Sequence, residues 1–252
     1  MRLLFAIIFT AFVAGSCTDT AVEYYKLEVV AEYPHDVESY TQGLFFHKGQ
    51  MYESTGMHGK STLRRVDMES GRPLKKLNFD RKYFIEGSVV LNDNLYVLTW
   101  DSNVAFVYGA DSLDYRSTWA YPREGWGITT DGGLLYASDG SSTIYVMDEK
   151  FSLQRRIIVK YNDRPLRLLN ELEYIDGRIW ANVYMSDEIV IINPDNGRVE
   201  GVVDCRGLLP KYLYKPDTDV LNGIAFNPDT GKIYLTGKNW PKLYEIKLIE
   251  KE

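Results

Sequence analysis

The segment DRKYFIEGSVVLNDNLYVLTW, residues 80–100, sets a carboxylate, Glu86, inside an apolar run with the alternation of a β-strand. A strand interior disfavours glutamate unless its charge meets water or a partner, because a buried carboxylate is costly to ionise. Phe84 stands two residues before it. Trp100 closes the next run, where a hairpin returns it to the same end. An aromatic surround raises a carboxylate's pKa and suits it to give or take a proton near neutral pH. The competing reading is an ion pair with a basic residue of a neighbouring unit, and spacing alone favours neither.

Further groups point to the same kind of chemistry. Asn170, Glu171 and Glu173 alternate in NELEYIDG, and LTGKNWPKLYE carries Lys238 and Lys242. Asn170 and Lys238 are suited to donate to a carbonyl or a developing oxyanion, whereas Glu171, Glu173 and Lys242 equally suit structural ion pairs. Trp100, Trp126 and Tyr184 each begin or end a strand-like run, as packing residues or as the wall of an apolar pocket. Trp119, Trp180 and Trp240 read as packing. The three histidines, His35, His47 and His58, lack the paired spacing of a zinc site, so no metal ligand is assigned. No G-x-S-x-G elbow, phosphate-binding glycine loop or G-x-G-x-x-G fingerprint is present. Glu86 with Glu171 could form the carboxylate pair of a glycosidase, a reading that stays open here.

Short alternating runs rich in tyrosine and β-branched residues must position these groups, and Asp-Gly, Asn-Gly and similar turns separate them. That pattern predicts an all-β chain of antiparallel hairpins. The runs YTQGLFF, FIEGSVV, GWGITTD, NELEYID and LNGIAFN open five similar units. Anchored on Gly43, Gly87, Gly127, Leu172 and Gly223, the units are spaced by 44, 40, 45 and 51 residues. Four strands per unit at this period predict a five-bladed β-propeller. The fifth unit has room for only three strands. The orphan run YYKLEVVAEYPH, residues 24–35, is expected to complete it and close the ring. The residues just before the anchors, Gln42, Glu86, Trp126, Glu171 and Asn222, then fall at one mouth of the central channel.

Composition bounds the function. With 252 residues, 45% of them hydrophobic, the chain can bury a core, and a net charge of −6 without a Lys/Arg block argues against nucleic acid. MRLLFAIIFTAFVAGSC opens the chain with Arg2, an apolar run and small residues before Cys17, as in a leader for export. The run is short for a transmembrane helix. Cys17 is either the lipidated residue of a bacterial lipoprotein or part of an ordinary signal peptide. Residues 1–22 are expected to be leader and 23–252 one propeller domain, a monomer that is periplasmic or held at the membrane only through a lipid anchor. Cys205 reads as a small buried apolar residue.

YTQGL, YESTGMHGKSTLRRVDMESG, FIEG, LTW, EGWGITTDG, LNELEYIDGRIWANVY and LNGIAFNPDTGKIYLTGKNWPKLYEI, taken in order, resemble the plant-type glutaminyl-peptide cyclotransferases. The resemblance runs from about residue 38 to 247. It implies a five-bladed propeller that converts the N-terminal glutamine of peptides or proteins to pyroglutamate and releases ammonia, with no catalytic metal. A structural divalent cation in the channel is compatible with it. Carried over by motif, Glu86 is the acid/base glutamate, Gln42, Asn170 and Lys238 are polar pocket residues, and Phe84, Trp100 and Trp126 form the aromatic wall. Tyr40 and Tyr184 depart from the pattern, standing where the family commonly has Phe and Trp, and so bear on substrate preference. Lys242, four residues on, competes with Lys238. The alternative from another class is an exported propeller that binds peptides or glycans without catalysis.

Overall fold

The computed structural model describes residues 21–251. Cys17 and all but the last two residues of the expected leader lie outside that range. Strand β1 (Glu23–Pro34) is followed by β2 (Thr41–His47), β3 (Gln50–Thr55), β4 (Thr62–Asp67) and β5 (Arg72–Asn78). Next come β6 (Ile85–Leu91), β7 (Asn94–Thr99), β8 (Val104–Gly109) and β9 (Tyr115–Ala120), then β10 (Ile128–Thr130), β11 (Leu135–Ala137), β12 (Thr143–Met147) and β13 (Leu153–Ile158). A small hairpin, β14 (Lys160–Tyr161) and β15 (Arg164–Pro165), leads to β16 (Leu169–Ile175), β17 (Arg178–Val183), β18 (Glu188–Ile192) and β19 (Val199–Asp204). A 3-10 turn (Lys211–Leu213) precedes β20 (Leu221–Asn227), β21 (Lys232–Gly237) and β22 (Lys242–Glu250). No α-helix occurs among the described residues.

The strands form a propeller-like, all-β arrangement. β2 to β5, β6 to β9 and β10 to β13 are three four-stranded antiparallel sheets, and β16-β17-β18-β19-β1-β22-β21-β20 is one eight-stranded sheet. The first strand of each hairpin series touches the next: β2 contacts β6, β6 contacts β10, β10 contacts β16, β16 contacts β20, and β20 contacts β2 again. These first strands are almost wholly buried, while β5, β9 and β13 lie largely exposed. Sequence follows burial: IEGSVVL and LNGIAFN line the interior, and RPLKKLN and YRSTWA face water. Trp180 and Trp240 are buried, as packing residues should be, whereas Trp119 is 37% exposed on β9 and packs into no core.

β1 pairs antiparallel with β22 from Tyr25–Glu250 to Pro34–Lys242, which puts a fourth strand beside β20, β21 and β22. It also pairs parallel with β19, from Glu23–Gly201 to Lys26–Asp204, and so fuses what would otherwise be two four-stranded units. Its C-terminal end is pinned from both sides of the seam. His35 donates its backbone N–H to Pro241 and its ring meets the Trp240 carbonyl and Glu53.

At Gly43 and Gly87 the inner strands leave no room for a side chain between them. A Cβ on Gly43 would lie 2.7 Å from the Ser88 nitrogen, and one on Gly87 would lie 2.7 Å from the Trp126 carbonyl oxygen. Glycine at these two positions is therefore a packing requirement.

Candidate active site

Four of the five first strands open with an irregularity at the same point. Between the pairs Ile85–Thr99 and Ser88–Val97, β6 carries one residue more than β7. The same excess occurs in β2 after Thr41, in β16 after Leu169 and in β20 after Leu221. A bulge of this kind re-aims a side chain out of the strand's alternation. It is how Glu86, an apparent violation of strand preference, comes to face the mouth.

The register shifts the fourth repeat by one residue from the frame expected. Asn170, not Glu171, is the equivalent of Glu86 and Asn222, and Glu171 stands where Gly87 and Gly223 stand. Glu171 points away from the mouth and accepts the backbone N–H groups of Leu44 (3.3 Å) and Ile224 (2.9 Å). Glu173 accepts the N–H of Phe226 (2.9 Å) and the hydroxyl of Thr129 (3.4 Å). Both therefore tie neighbouring first strands together through backbone and hydroxyl groups, and among the described residues neither forms the ion pair that the sequence left open. Burial drives the Glu171 carboxyl well above the usual carboxylate range, with Glu173 adding to it, and pushes Glu173 up to about 8. A glycosidase-like pair of Glu86 with Glu171 is not assembled. Lys242 pairs with Glu32 at 3.3 Å on β1, which leaves Lys238 as the lysine of the mouth.

At the mouth lies a cavity of about 260 Å³ lined by Tyr40, Gln42, Phe84, Glu86, Trp100, Trp126, Asn170, Tyr184 and Lys238. Every residue assigned to the pocket from sequence is in it. Its rings form a collar: Trp100 meets Phe84 edge-on at 5.5 Å, Phe84 meets Tyr40 at 6.2 Å, and Trp126 meets Tyr184 at 5.6 Å. The Lys238 ammonium bridges Tyr40 and Tyr184, 4.8 and 5.1 Å from their ring centres. Glu124 bridges the other gap, accepting the indole N–H groups of Trp100 and Trp126.

The polar floor is short of partners. Glu86 is 5% exposed and accepts one side-chain hydrogen bond, from Gln42 Nε2 at 2.8 Å. Burial pushes its carboxyl well above the ordinary range; Lys238 offsets this in part, and Glu124 adds to it. Burial also pulls the Lys238 ammonium down, against the opposing pull of Glu86 and Asp219. Asn170 is buried, and its backbone oxygen is taken by Ser138, while its side-chain amide makes no hydrogen bond among the described residues and faces the cavity. Asn222 holds Gln42 by donating to its Oε1 (3.3 Å), and Tyr40 donates to Asp219 at 2.7 Å, which together with burial raises the tyrosine's pKa. Asp219 and Glu124 were not singled out from sequence. Both sit in connections just before a repeat, where only proximity in space reveals a role.

No group of three or more His, Cys, Asp or Glu side chains able to hold a metal ion occurs among the described residues. The cavity, by contrast, suits a short neutral polar chain: apolar rings for its methylenes, donors at Asn170 and Lys238 for a carbonyl oxygen, and a carboxyl at Glu86 for proton transfer.

An aromatic cup over a buried acid, a lysine and an asparagine is a pocket whose groups are able to hold a small polar group and to move a proton. The chain belongs to the glutamine cyclotransferase family, whose sequence profile matches residues 3–248. It is 41% identical over 241 residues to a glutaminyl-peptide cyclotransferase of Arabidopsis thaliana, covering 93% of this chain and 75% of that protein. Among solved structures it resembles the glutaminyl cyclase of Myxococcus xanthus, with a TM-score of 0.86 and 34% identity over 92% of this chain and all of the other.

Proposed function

We propose that the protein is a glutaminyl-peptide cyclotransferase, closing the N-terminal glutamine of peptides or proteins to pyroglutamate by acid/base catalysis through Glu86, without a catalytic metal. The observation that carries this is the convergence of Glu86, Asn170 and Lys238 beneath one aromatic collar, in a chain of the glutamine cyclotransferase family. The glutamine side chain folds back between Trp100, Trp126, Phe84 and Tyr184, which converts rotational freedom into a reactive conformer. The α-amine attacks the γ-carboxamide carbon, forming the ring C–N bond, and the bond to the carboxamide nitrogen breaks. Glu86, oriented by Gln42, takes the proton from the attacking nitrogen and delivers it to the departing one, which leaves as ammonia. Lys238 and Asn170 stabilise the oxyanion of the tetrahedral intermediate.

The scaffold of this reading is a five-bladed propeller closed by β1. Its support is the chain of first-strand contacts that returns to β2, and the five apolar clusters lying between consecutive units, one of them joining β2, β3 and β4 to β20, β21 and β22. The leader motif supports export, with Cys17 as the lipid-bearing residue; metabolic labelling of a Cys17→Ser variant with a fatty-acid probe tests this.

The function is tested by incubating the purified chain with a Gln-initiated dipeptide, with and without a chelator, and measuring ammonia and the cyclised product. Chelator-resistant formation of both in equal amounts is expected. A folded protein that binds the peptide and releases no ammonia would be a binding module, and the reading would fall.

A further inference from the structure

Glu124 has no part in the chemistry above, yet it closes the collar. It lies in the connection between β9 and β10, and its Oε2 accepts the indole N–H of Trp100 and of Trp126, each at 3.0 Å. The two tryptophans belong to different sheets, one following β7 and the other preceding β10. Ring contacts tie Trp100 to Phe84 and Trp126 to Tyr184, and among the described residues Glu124 is the side chain that hydrogen-bonds both indoles. The backbone presenting Glu124 is itself fixed. Gly125 donates its N–H to the carbonyls of Thr99 (3.0 Å) and Trp100 (3.3 Å), and a Cβ there would lie 2.7 Å from that of Leu98. Glu124 is solvent-exposed, and its Oε1 has no hydrogen-bond partner among the described residues. An exposed carboxylate that spends one oxygen on two indoles is placed to set the gap between them.

We propose that Glu124 is a positioning residue: a shared acceptor that locks the tryptophan walls at the separation that grips the folded glutamine side chain. Substrate capture depends on its oxygen as acceptor, not on its charge. The charge acts separately, on Glu86, which faces Lys238, Glu124 and Tyr40 as its ionisable neighbours. Removing Glu124's charge takes away one cause of Glu86's elevated pKa, so the acidic limb of the rate profile moves to lower pH.

The inference rests on the cyclotransferase reading for its substrate, and its test separates the two. Glu124→Ala and Glu124→Gln are compared with the parent by the KM and kcat of a Gln-dipeptide, the pH profile of kcat/KM, and the indole N–H resonances of the five tryptophans in the free protein. The alanine variant loses both acceptor bonds to the indoles and should raise KM about ten-fold with kcat within about three-fold. Two indole resonances should move. The glutamine variant retains an oxygen that accepts both N–H groups, so its KM should stay within about three-fold of the parent and its indole resonances near their places. Both variants should show the acid limb displaced downward. An unchanged KM in the alanine variant, unmoved indole resonances, or a glutamine variant as impaired as alanine would overturn the proposal. An inactive parent would instead overturn the cyclotransferase reading, while the resonances still report on the brace.

Discussion

Replacing Glu86 by glutamine separates catalysis from stability, because the two should move independently. The glutamine amide is nearly isosteric with the carboxyl, and its oxygen can keep the 2.8 Å hydrogen bond from Gln42. It cannot shuttle a proton. A lost acid/base group lowers turnover by about 10² to 10⁴-fold, equivalent to about 3–5 kcal/mol of barrier. The stability effect follows from the carboxyl's folded-state pKa, which lies well above its unfolded value near 4.5, chiefly through burial. A group shifted in that direction favours the fold fully below its unfolded pKa, and this contribution is lost as pH rises through the folded value. The parent therefore carries an ionisation penalty at alkaline pH that the amide does not. Glu86→Gln should melt at or above the parent's temperature at pH 8.

The assay is ammonia release over a series of Gln-dipeptide concentrations, beside thermal unfolding at pH 5 and pH 8. A variant within about ten-fold of the parent's kcat/KM would refute the assignment of proton transfer to Glu86. A melting temperature lowered by more than about 4 °C, roughly 1 kcal/mol or more in a chain of this size, would refute the burial argument.

Trp126→Ala removes the edge-on contact with Tyr184 and one of the two donors to Glu124; KM for the dipeptide should rise at least about ten-fold, and an unchanged KM would remove Trp126 from the pocket. The side chains of His35 and Glu53, both buried, meet at 3.0 Å where the chain leaves β1 for the sheet of β2 to β5. Burial alone would lower the histidine's pKa, but the Glu53 carboxylate raises it overall, while His35 and Arg64 overcome burial to hold Glu53 down at about 2. The pair's histidine contribution is complete below about pH 6.5 and is lost as pH rises through the folded value. His35→Asn should destabilise by about 3 kcal/mol at pH 6 and by less at pH 9, measured by urea unfolding; a pH-independent difference would count against the ion pair. Glu173, pushed up to about 8, favours the fold at acid pH and loses that contribution between its unfolded value near 4.5 and pH 8. Glu173→Gln should therefore flatten the fall in melting temperature across that range, and an undiminished fall would show that the carboxyl is not the cause.

Much of the site was legible because the repeat is built on glycine. Gly43, Gly87 and Gly127 mark where first strands touch, and the residues before them, Gln42, Glu86 and Trp126, reach the cavity as the frame predicts. The frame slipped by one in the fourth unit because Glu171 occupies the glycine's place. Nothing local announces that substitution, since its acceptors are satisfied by Leu44 and Ile224, far away in sequence. The β1–β22 pairing was legible from a missing strand, but the parallel pairing with β19 was not, since it completes no deficit and leaves no mark in the alternation. Glu124 and Asp219 escaped for a related reason: each links residues of two neighbouring sheets, Trp100 with Trp126 and Tyr40 with Lys238, which the alternation within one sheet does not show.

One burial drives Glu86 and Lys238 in opposite directions, the carboxyl upward and the ammonium downward. Had they met as an ion pair, each would have stabilised the other's charge and neither would be free to serve a substrate. No such pair forms among the described residues: Glu86 is held by Gln42, and the Lys238 ammonium rests between the rings of Tyr40 and Tyr184. Asn170 likewise keeps its side-chain amide uncommitted. Three incompletely satisfied polar groups in a buried cup are unfavourable for the empty protein, and a fold tolerates them only where the surroundings fix their positions. Bulges aim Glu86 and Asn170, the collar holds Lys238, and tight glycine contacts between the first strands keep the bulges in register. In the proposed reaction the glutamine carboxamide supplies what the cup lacks, an acceptor for Lys238 and Asn170 and a nitrogen for Glu86 to protonate, so the interactions missing from the free site are completed as the ring closes.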